Sequence, residues 1–246
     1  MENSNIKRKS KKKYIVIISI VVIIILLISM WIYFNNYYKA EPLVDKYLKS
    51  HDEIIVNKIS EGYFFDSKEN DNAIIFYPGA KVEAISYAPL MFKLASQGVD
   101  CFLVKMPFNF AFFDQNAATK IIKKYKYNNY YLSGHSLGGV VAANYIHKNK
   151  DKISGLILLA SYSTQKINNN IKILSIYGNK DTVLNKTKYE QNKINWNSTA
   201  QELIINGGNH ANFGNYGFQK KDSASEISKE MQQEQTIEAI IKMINE

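Results

Sequence analysis

The serine at 136 stands in "SGHSLGG", a G-x-S-x-G pattern where an apolar run ends and a helix-like segment begins at once. A serine hydroxyl is a weak nucleophile until a base takes its proton, so the pattern gains chemical meaning only with a histidine and an acid to orient it. Gly134 and Gly138 suit a sharp strand-to-helix turn that lifts the hydroxyl above the strand ends. The competing reading is structural: Ser136 as a helix N-cap, with the glycines present for packing.

Four histidines are available as the base. Surface solvation or a helix-dipole contact accounts for His51 and for His147, which lies near a helix end. His135 lies inside the turn, with its side chain expected to point away from the reacting centre in a structural role. His210 sits in "GGNHANFGNYG", directly after a strand-like segment, and is the candidate general base. Activity should then rise with pH as its imidazole becomes neutral. Asp181, in "YGNKDTVL" after another strand, is the candidate acid; the alternative is a plain surface turn. Acyl chemistry also needs donors for a tetrahedral oxyanion, each worth about 3–4 kcal/mol. The backbone N–H of Leu137 is one candidate, and Ala80 in "FYPGAKVEAIS" supplies the other. Lys81 and Glu83 beside it either line the pocket or are merely solvated.

These residues need a scaffold that brings several strand ends to one edge. "EIIVNKIS" and "GYFFDS" read as a hairpin. "NAIIFYP", "VDCFLVKMP", "NYYLSG", "ISGLILLAS", "IKILSIYG" and "AQELIING" read as further strands. Helix-like runs fall between them, at "EAISYAPLMFKLASQG", "NAATKIIKKYKY", "SLGGVVAANYIHKNK" and "NKTKYEQNKIN". Ser223 and Glu226 have capping-box spacing ahead of a final helix whose Ile237, Ile240, Ile241 and Ile244 share one face. Alternation of this kind predicts a mostly parallel sheet flanked by helices. The order Ser136, Asp181, His210, each after a strand, is that of an α/β-hydrolase fold. Only "YSTQKINNNI" joins the strands near residues 161–171, so little or no lid domain and a fairly open site are expected.

The N-terminus sets the address. Residues 14–34, "YIVIISIVVIIILLISMWIYF", carry no charge. As a helix they would be roughly 31 Å long, enough to cross a hydrocarbon core. The net charge of +9 owes more than half to residues 1–13, so no basic stripe suggests nucleic acid as a partner. That block, with Trp31, Tyr33, Tyr37 and Tyr38 at the far end, predicts an uncleaved signal anchor rather than a cleaved signal peptide. The expected organisation is a basic cytoplasmic tail (1–13), a transmembrane segment (14–34), a juxtamembrane linker (35–52) and an extracellular hydrolase domain (53–246). The lysine, asparagine and isoleucine usage suggests a bacterial source. Cys101, alone in a strand, permits neither a disulfide nor a thiolate cage; no metal or cofactor is expected.

"FYPGAKVEAISYAPLMFKLASQGVDCFLVKMPFNFAFF", "GHSLGG", "YGNKDTVL" and "GGNHANFGNYG" together resemble a bacterial α/β-hydrolase family near the dienelactone hydrolases, over residues 55–245. The resemblance implies Ser136 as nucleophile where dienelactone hydrolase uses cysteine, Asp181 as acid, His210 as base, and Ala80 and Leu137 as oxyanion donors. It implies hydrolysis of a small-molecule ester or similar acyl bond. Two other readings stay open: a surface module that keeps the scaffold only to bind, and an acyltransferase. The aromatic run in "MPFNFAFFDQNA", 106–117, either grips an acyl group or simply packs.

Overall fold

The computed structural model describes residues 2–68, 71–149 and 153–246, without the side chains of 2–12 and 15. The expected basic tail therefore lies outside the described side chains as far as Lys12. The chain falls into two compact units, Met1–Tyr37 and Tyr38–Glu246. The first is built on α1 (Glu2–Asn35). Within it Val16–Asn35 is 20 residues long with a mean hydropathy of 3.0, which makes it a candidate membrane span by length and composition.

The second unit is a sheet flanked by helices. Its strands are β1 (Ile55–Ile59), β2 (Gly62–Asp66), β3 (Asn72–Tyr77), β4 (Asp100–Val104), β5 (Asn129–His135), β6 (Ile153–Leu159), β7 (Lys172–Gly178) and β8 (Gln201–Ile205). They form one 8-stranded sheet in the order β1-β2-β4-β3-β5-β6-β7-β8. The pairs β1–β2 and β2–β4 are antiparallel, and the remaining pairs are parallel. The helices are α2 (Ala88–Ala95), α3 (Ala117–Lys124), α4 (Leu137–Lys148), α5 (Lys186–Asn192) and α6 (Lys229–Asn245).

The two-residue strand period sorts side chains into two cores. Ile74 and Phe76 of β3 join Leu90 and Met91 of α2 and Ile237 and Ile240 of α6 on one face. Ala73, Ile75 and Tyr77 join Ile121 of α3 and Val141 of α4 on the other. Cys101 is fully buried in the first core, and burial pushes its thiol pKa well up, so it is an inert packing residue.

The strand order reverses at β3, which pairs with β4 on one side and β5 on the other. Tyr77, the end of β3, lies in register with Gly134, one residue before the end of β5. The loops leaving those two strands thus start side by side, at the kind of switch point where such sheets place their sites.

Two expectations need correction. The linker expected at 35–52, ahead of a domain from 53, gives way to a unit that begins at Tyr38. Tyr38 bridges in parallel to Val82, and the 3-10 helix Pro42–Leu48 buries Val44 completely. Glu41 also pairs with Lys229 of α6 at 2.6 Å. Likewise the final helix starts at Lys229, capped by the Ser228 hydroxyl accepting from the Met231 N–H, and not at Ser223. The spacing of Ser223 and Glu226 goes unused because the Glu226 N–H donates to the Gly207 carbonyl and its carboxylate pairs with Lys180.

Burying one valine contributes about 1.5–3 kcal/mol, which for a domain of this size is roughly 5–10 °C. A chain starting at residue 53 should therefore melt at least 5 °C below one starting at residue 36. Equal melting temperatures would show that 38–52 is a dispensable tether after all.

Candidate active site

Strand β5 delivers Ser136 into a left-handed backbone conformation, φ 51° and ψ −124°. That geometry is costly for a residue with a Cβ and is held by its surroundings. The Ser136 N–H donates to the Leu159 carbonyl at 2.9 Å, and the Ser136 carbonyl accepts from the Gly139 N–H at 3.1 Å. A Cβ on Gly138 would run into the Tyr77 and Pro78 carbonyl oxygens, and one on Gly134 into the backbone of Gly138 and Gly139. Strand β3, strand β5 and α4 can approach only because both positions lack side chains. Ser136 makes no side-chain cap for α4, which removes the helix-capping explanation of its hydroxyl.

The loop after β3 runs beside this turn. Lys81 is in the left-handed region at φ 59°, and its N–H donates to the Asn109 carbonyl at 2.8 Å. Among the described residues no acceptor takes the N–H of Ala80 or of Leu137. Both residues are half-exposed. The Lys81 and Glu83 expectation resolves differently for each. The Glu83 carboxylate is engaged, accepting from the Ala40 N–H at 2.9 Å, while the Lys81 backbone joins two neighbouring segments.

Asp181 and His210 meet beyond the ends of β7 and β8. The His210 Nδ1 lies 2.8 Å from the Asp181 Oδ2, with both side chains almost wholly buried. The other oxygen, Oδ1, accepts from the Val183 and Leu184 N–H groups, each at 2.8 Å. A carboxylate held on three sides can only accept, so Nδ1 carries a proton, and the tautomer this selects has its lone pair at Nε2. That Nε2 is buried and has no hydrogen-bond partner among the described residues.

Three groups that sequence reasoning missed hold this pair. Asp222, in the loop before α6, accepts from the Ala211 N–H at 2.9 Å and the Thr182 N–H at 3.4 Å, so one carboxylate ties the His210 loop to the Asp181 loop. Burial raises its pKa, and the Asp181 charge pushes the same way against those N–H donors. Gln232 of α6 exchanges two hydrogen bonds with the Asn209 backbone, at 3.0 and 2.8 Å.

Tyr87 is the third. Its hydroxyl accepts from the Gly79 N–H at 3.2 Å and lies 2.8 Å from the His135 Nδ1, while the His135 Nε2 lies 3.1 Å from the His210 carbonyl. A carbonyl only accepts, so His135 carries its proton at Nε2 and takes the Tyr87 O–H at Nδ1. Burial first, then the adjacent His210, push the His135 pKa well down, which keeps it neutral. His135 therefore does not point away from the site. It lies against the His210 ring, 4.5 Å between centroids, and links it to the loop after β3. The sole signal in the sequence was its place inside the turn.

The other histidines stay apart. His51 stacks on Phe92 at 4.1 Å, and the His147 Nδ1 lies 3.2 Å from the Lys166 carbonyl. Among the described residues no three His, Cys, Asp or Glu side chains are grouped to hold a metal ion.

The profile of the Alpha/beta hydrolase family matches residues 73–234. Solved structures agree on the fold. A predicted CIB-like hydrolase from Thermoplasma acidophilum aligns with a TM-score of 0.55 and 15% identity, over 77% of this chain and 99% of its own. The alpha/beta hydrolase domain-containing protein 10 of mouse gives 0.57 and 12% over 79% and 99%. Est1E of Butyrivibrio proteoclasticus, solved with ferulic acid bound, gives 0.56 and 15% over 80% and 98%. No protein of curated function matches the sequence.

The depressed pKa of His135 has a measurable consequence. Unfolding lets this ring take a proton that the native state refuses. Its contribution is therefore complete above the unfolded imidazole value of about 6.5 and falls as the pH drops below it, by at most about 1.4 kcal/mol per pH unit. Denaturant unfolding between pH 6.5 and 4.5 should show a flatter decline in His135→Gln than in the natural protein. Parallel declines would contradict the assignment.

Proposed function

The chain belongs to the Alpha/beta hydrolase family, and from that premise we propose that it is a serine hydrolase cleaving a carboxylic ester or similar acyl bond. One observation carries the reading: a buried imidazole oriented through Nδ1 by a buried carboxylate, beyond the strand ends of the same sheet whose β5 leads into Ser136. A general base needs an imidazole held in this way, with its Nε2 lone pair available to a hydroxyl proton.

In this reading His210 Nε2 takes the Ser136 hydroxyl proton as Oγ attacks the acyl carbon. The carbonyl oxygen gains negative charge and is met by the N–H groups of Ala80 and Leu137. Collapse expels the alcohol, which leaves with the proton from His210, and the acyl group remains on Ser136. Water then attacks with His210 again as base, releasing the acid and restoring the serine. Asp181 fixes the tautomer throughout and stabilises the transient imidazolium. Gly79, Tyr87 and His135 act as positioning groups, since their chain joins the oxyanion loop to the His210 backbone.

The kinship to dienelactone hydrolases rests on the quoted motifs and adds lactones to the esters worth testing. The proposed setting is a bacterial cell membrane, with α1 as an uncleaved anchor. The positive-inside tendency of residues 7–13 would leave the hydrolase unit outside. A tag after Glu246 should then be cut by protease added to intact cells, and protection of that tag would reverse the orientation.

Ser136→Ala should lower hydrolysis of short acyl esters by at least about 10³-fold, and Asp181→Asn by about 10²–10⁴-fold, with near-natural KM in each. Undiminished turnover in Ser136→Ala would exclude this mechanism.

A further inference from the structure

Beyond the end of β4 the chain exposes a cluster of large aromatic rings. Phe108, Phe112 and Phe113 are 60%, 63% and 51% exposed. Phe113 sits at the centre, 5.6 Å from Phe108, 6.2 Å from Phe110 and 6.4 Å from Phe112. Soluble surfaces rarely gather such rings without a use for them.

The rings ride on an anchored segment. Met106 and Ala111 on either side of Phe108 are buried, and the Tyr77 hydroxyl donates to the Gln115 carbonyl at 3.1 Å. Phe108 and Asn109 both take the left-handed backbone conformation, at φ 53° and 57°. Holding an aromatic residue in that region is sterically unfavourable, here with its ring turned outward. The segment is also fixed to the candidate oxyanion loop, because the Lys81 N–H donates to the Asn109 carbonyl.

The same Lys81 carries the link to the apolar helix. Its carbonyl accepts from the Tyr38 N–H at 2.7 Å, and the Tyr38 carbonyl accepts from the Glu83 N–H at 2.9 Å. Helix α1 ends at Asn35. Three residue steps reach at most about 11 Å, a bound set by the chain itself whatever the orientation of either unit. The Lys220 N–H donates to the Tyr38 hydroxyl at 3.0 Å, and Lys39, Lys220, Lys221 and Phe218 are all exposed. Exposed aromatic rings together with lysines a short tether from a membrane span match the interior edge and the anionic headgroups of a bilayer.

We propose that the phenylalanine segment 107–114 is a bilayer-docking element that seats the Ser136 edge of the sheet on the membrane α1 enters, and that the acyl substrate is drawn from lipid. The substrate part rests on the serine-hydrolase reading, and the docking part on α1 as a span. Docking brings the acyl bond of a lipid to Ser136 without its leaving the membrane, and short esters in solution become secondary substrates.

The test uses the full chain in vesicles of phosphatidylcholine with one quarter phosphatidylglycerol. A polarity-sensitive fluorophore on Phe112→Cys is compared with one on Ile194→Cys, a site 82% exposed beyond α5; buried Cys101 leaves the labelling specific. Lipids bearing a shallow nitroxide should quench the label at 112 at least twofold more than the label at 194. Equal quenching would overturn docking, as would spontaneous disulfides between copies at 112, which would make the patch a protein interface. In Phe108→Asp combined with Phe112→Asp, the ratio of turnover on a vesicle-borne diacyl ester to that on a soluble short ester should fall at least fivefold. An unchanged ratio would overturn the lipid substrate. The two readings fail separately: equal quenching with Ser136-dependent turnover refutes docking alone. Turnover that survives Ser136→Ala refutes the mechanism and leaves the quenching result standing.

Discussion

The hydrogen bond between the His210 Nδ1 and the Asp181 Oδ2, 2.8 Å long and shut away from water, is the constraint around which this unit is organised. Neither partner lies in a strand or a helix of its own. Each sits on a loop beyond the sheet, and a loop by itself cannot hold an imidazole to a fraction of an ångström. The holding is done from outside. Asp222 clamps both loops, Gln232 of α6 braces Asn209, and the Val183 and Leu184 N–H groups fill the second oxygen of Asp181. Remove the ring and the buried Asp181 Oδ2 loses its donor, a loss that is costly in a low-dielectric interior.

A second economy operates at the β3–β5 switch. The left-handed backbone of Ser136 is unfavourable locally, yet two parallel strands, a helix without side chains at its first contacts and the Leu159 carbonyl leave no easier path. Strain is thus stored where a hydroxyl must stand clear of the sheet. The Gly79–Tyr87–His135–His210 chain then couples that edge to the histidine loop, so the loop after β3 and the His210 backbone belong to one connected network.

Much of this was legible in the residues. The strands and most helices follow from apolar runs and their period, and the pairing of Asp181 with His210 follows from two acid–base residues placed after consecutive strands. What stayed hidden depends on contacts distant in sequence. His135 was expected to turn away, because nothing local says that Tyr87 and the His210 carbonyl will meet its two nitrogens. Asp222 looked like one more polar residue in "QKKDSAS", since its partners lie in loops 11 and 40 residues earlier. The segment 35–52 reads as a juxtamembrane linker, and only the Val82 bridge and the site that buries Val44 make residues from Tyr38 onward part of the fold. The Ser223–Glu226 spacing misled for the same reason: a long-range bond to Gly207 outcompetes a local cap.

The covalent role of Ser136 is the centre of the account, and one measurement reaches it directly. The protein is mixed with an excess of an activated acetyl ester, quenched in acid within milliseconds, digested and analysed by mass spectrometry. The account predicts one acetyl group on the peptide that contains Ser136, mapped to its hydroxyl and lost in His210→Ala. An acetyl group on another side chain during turnover, or turnover with no adduct at any time point, would contradict it.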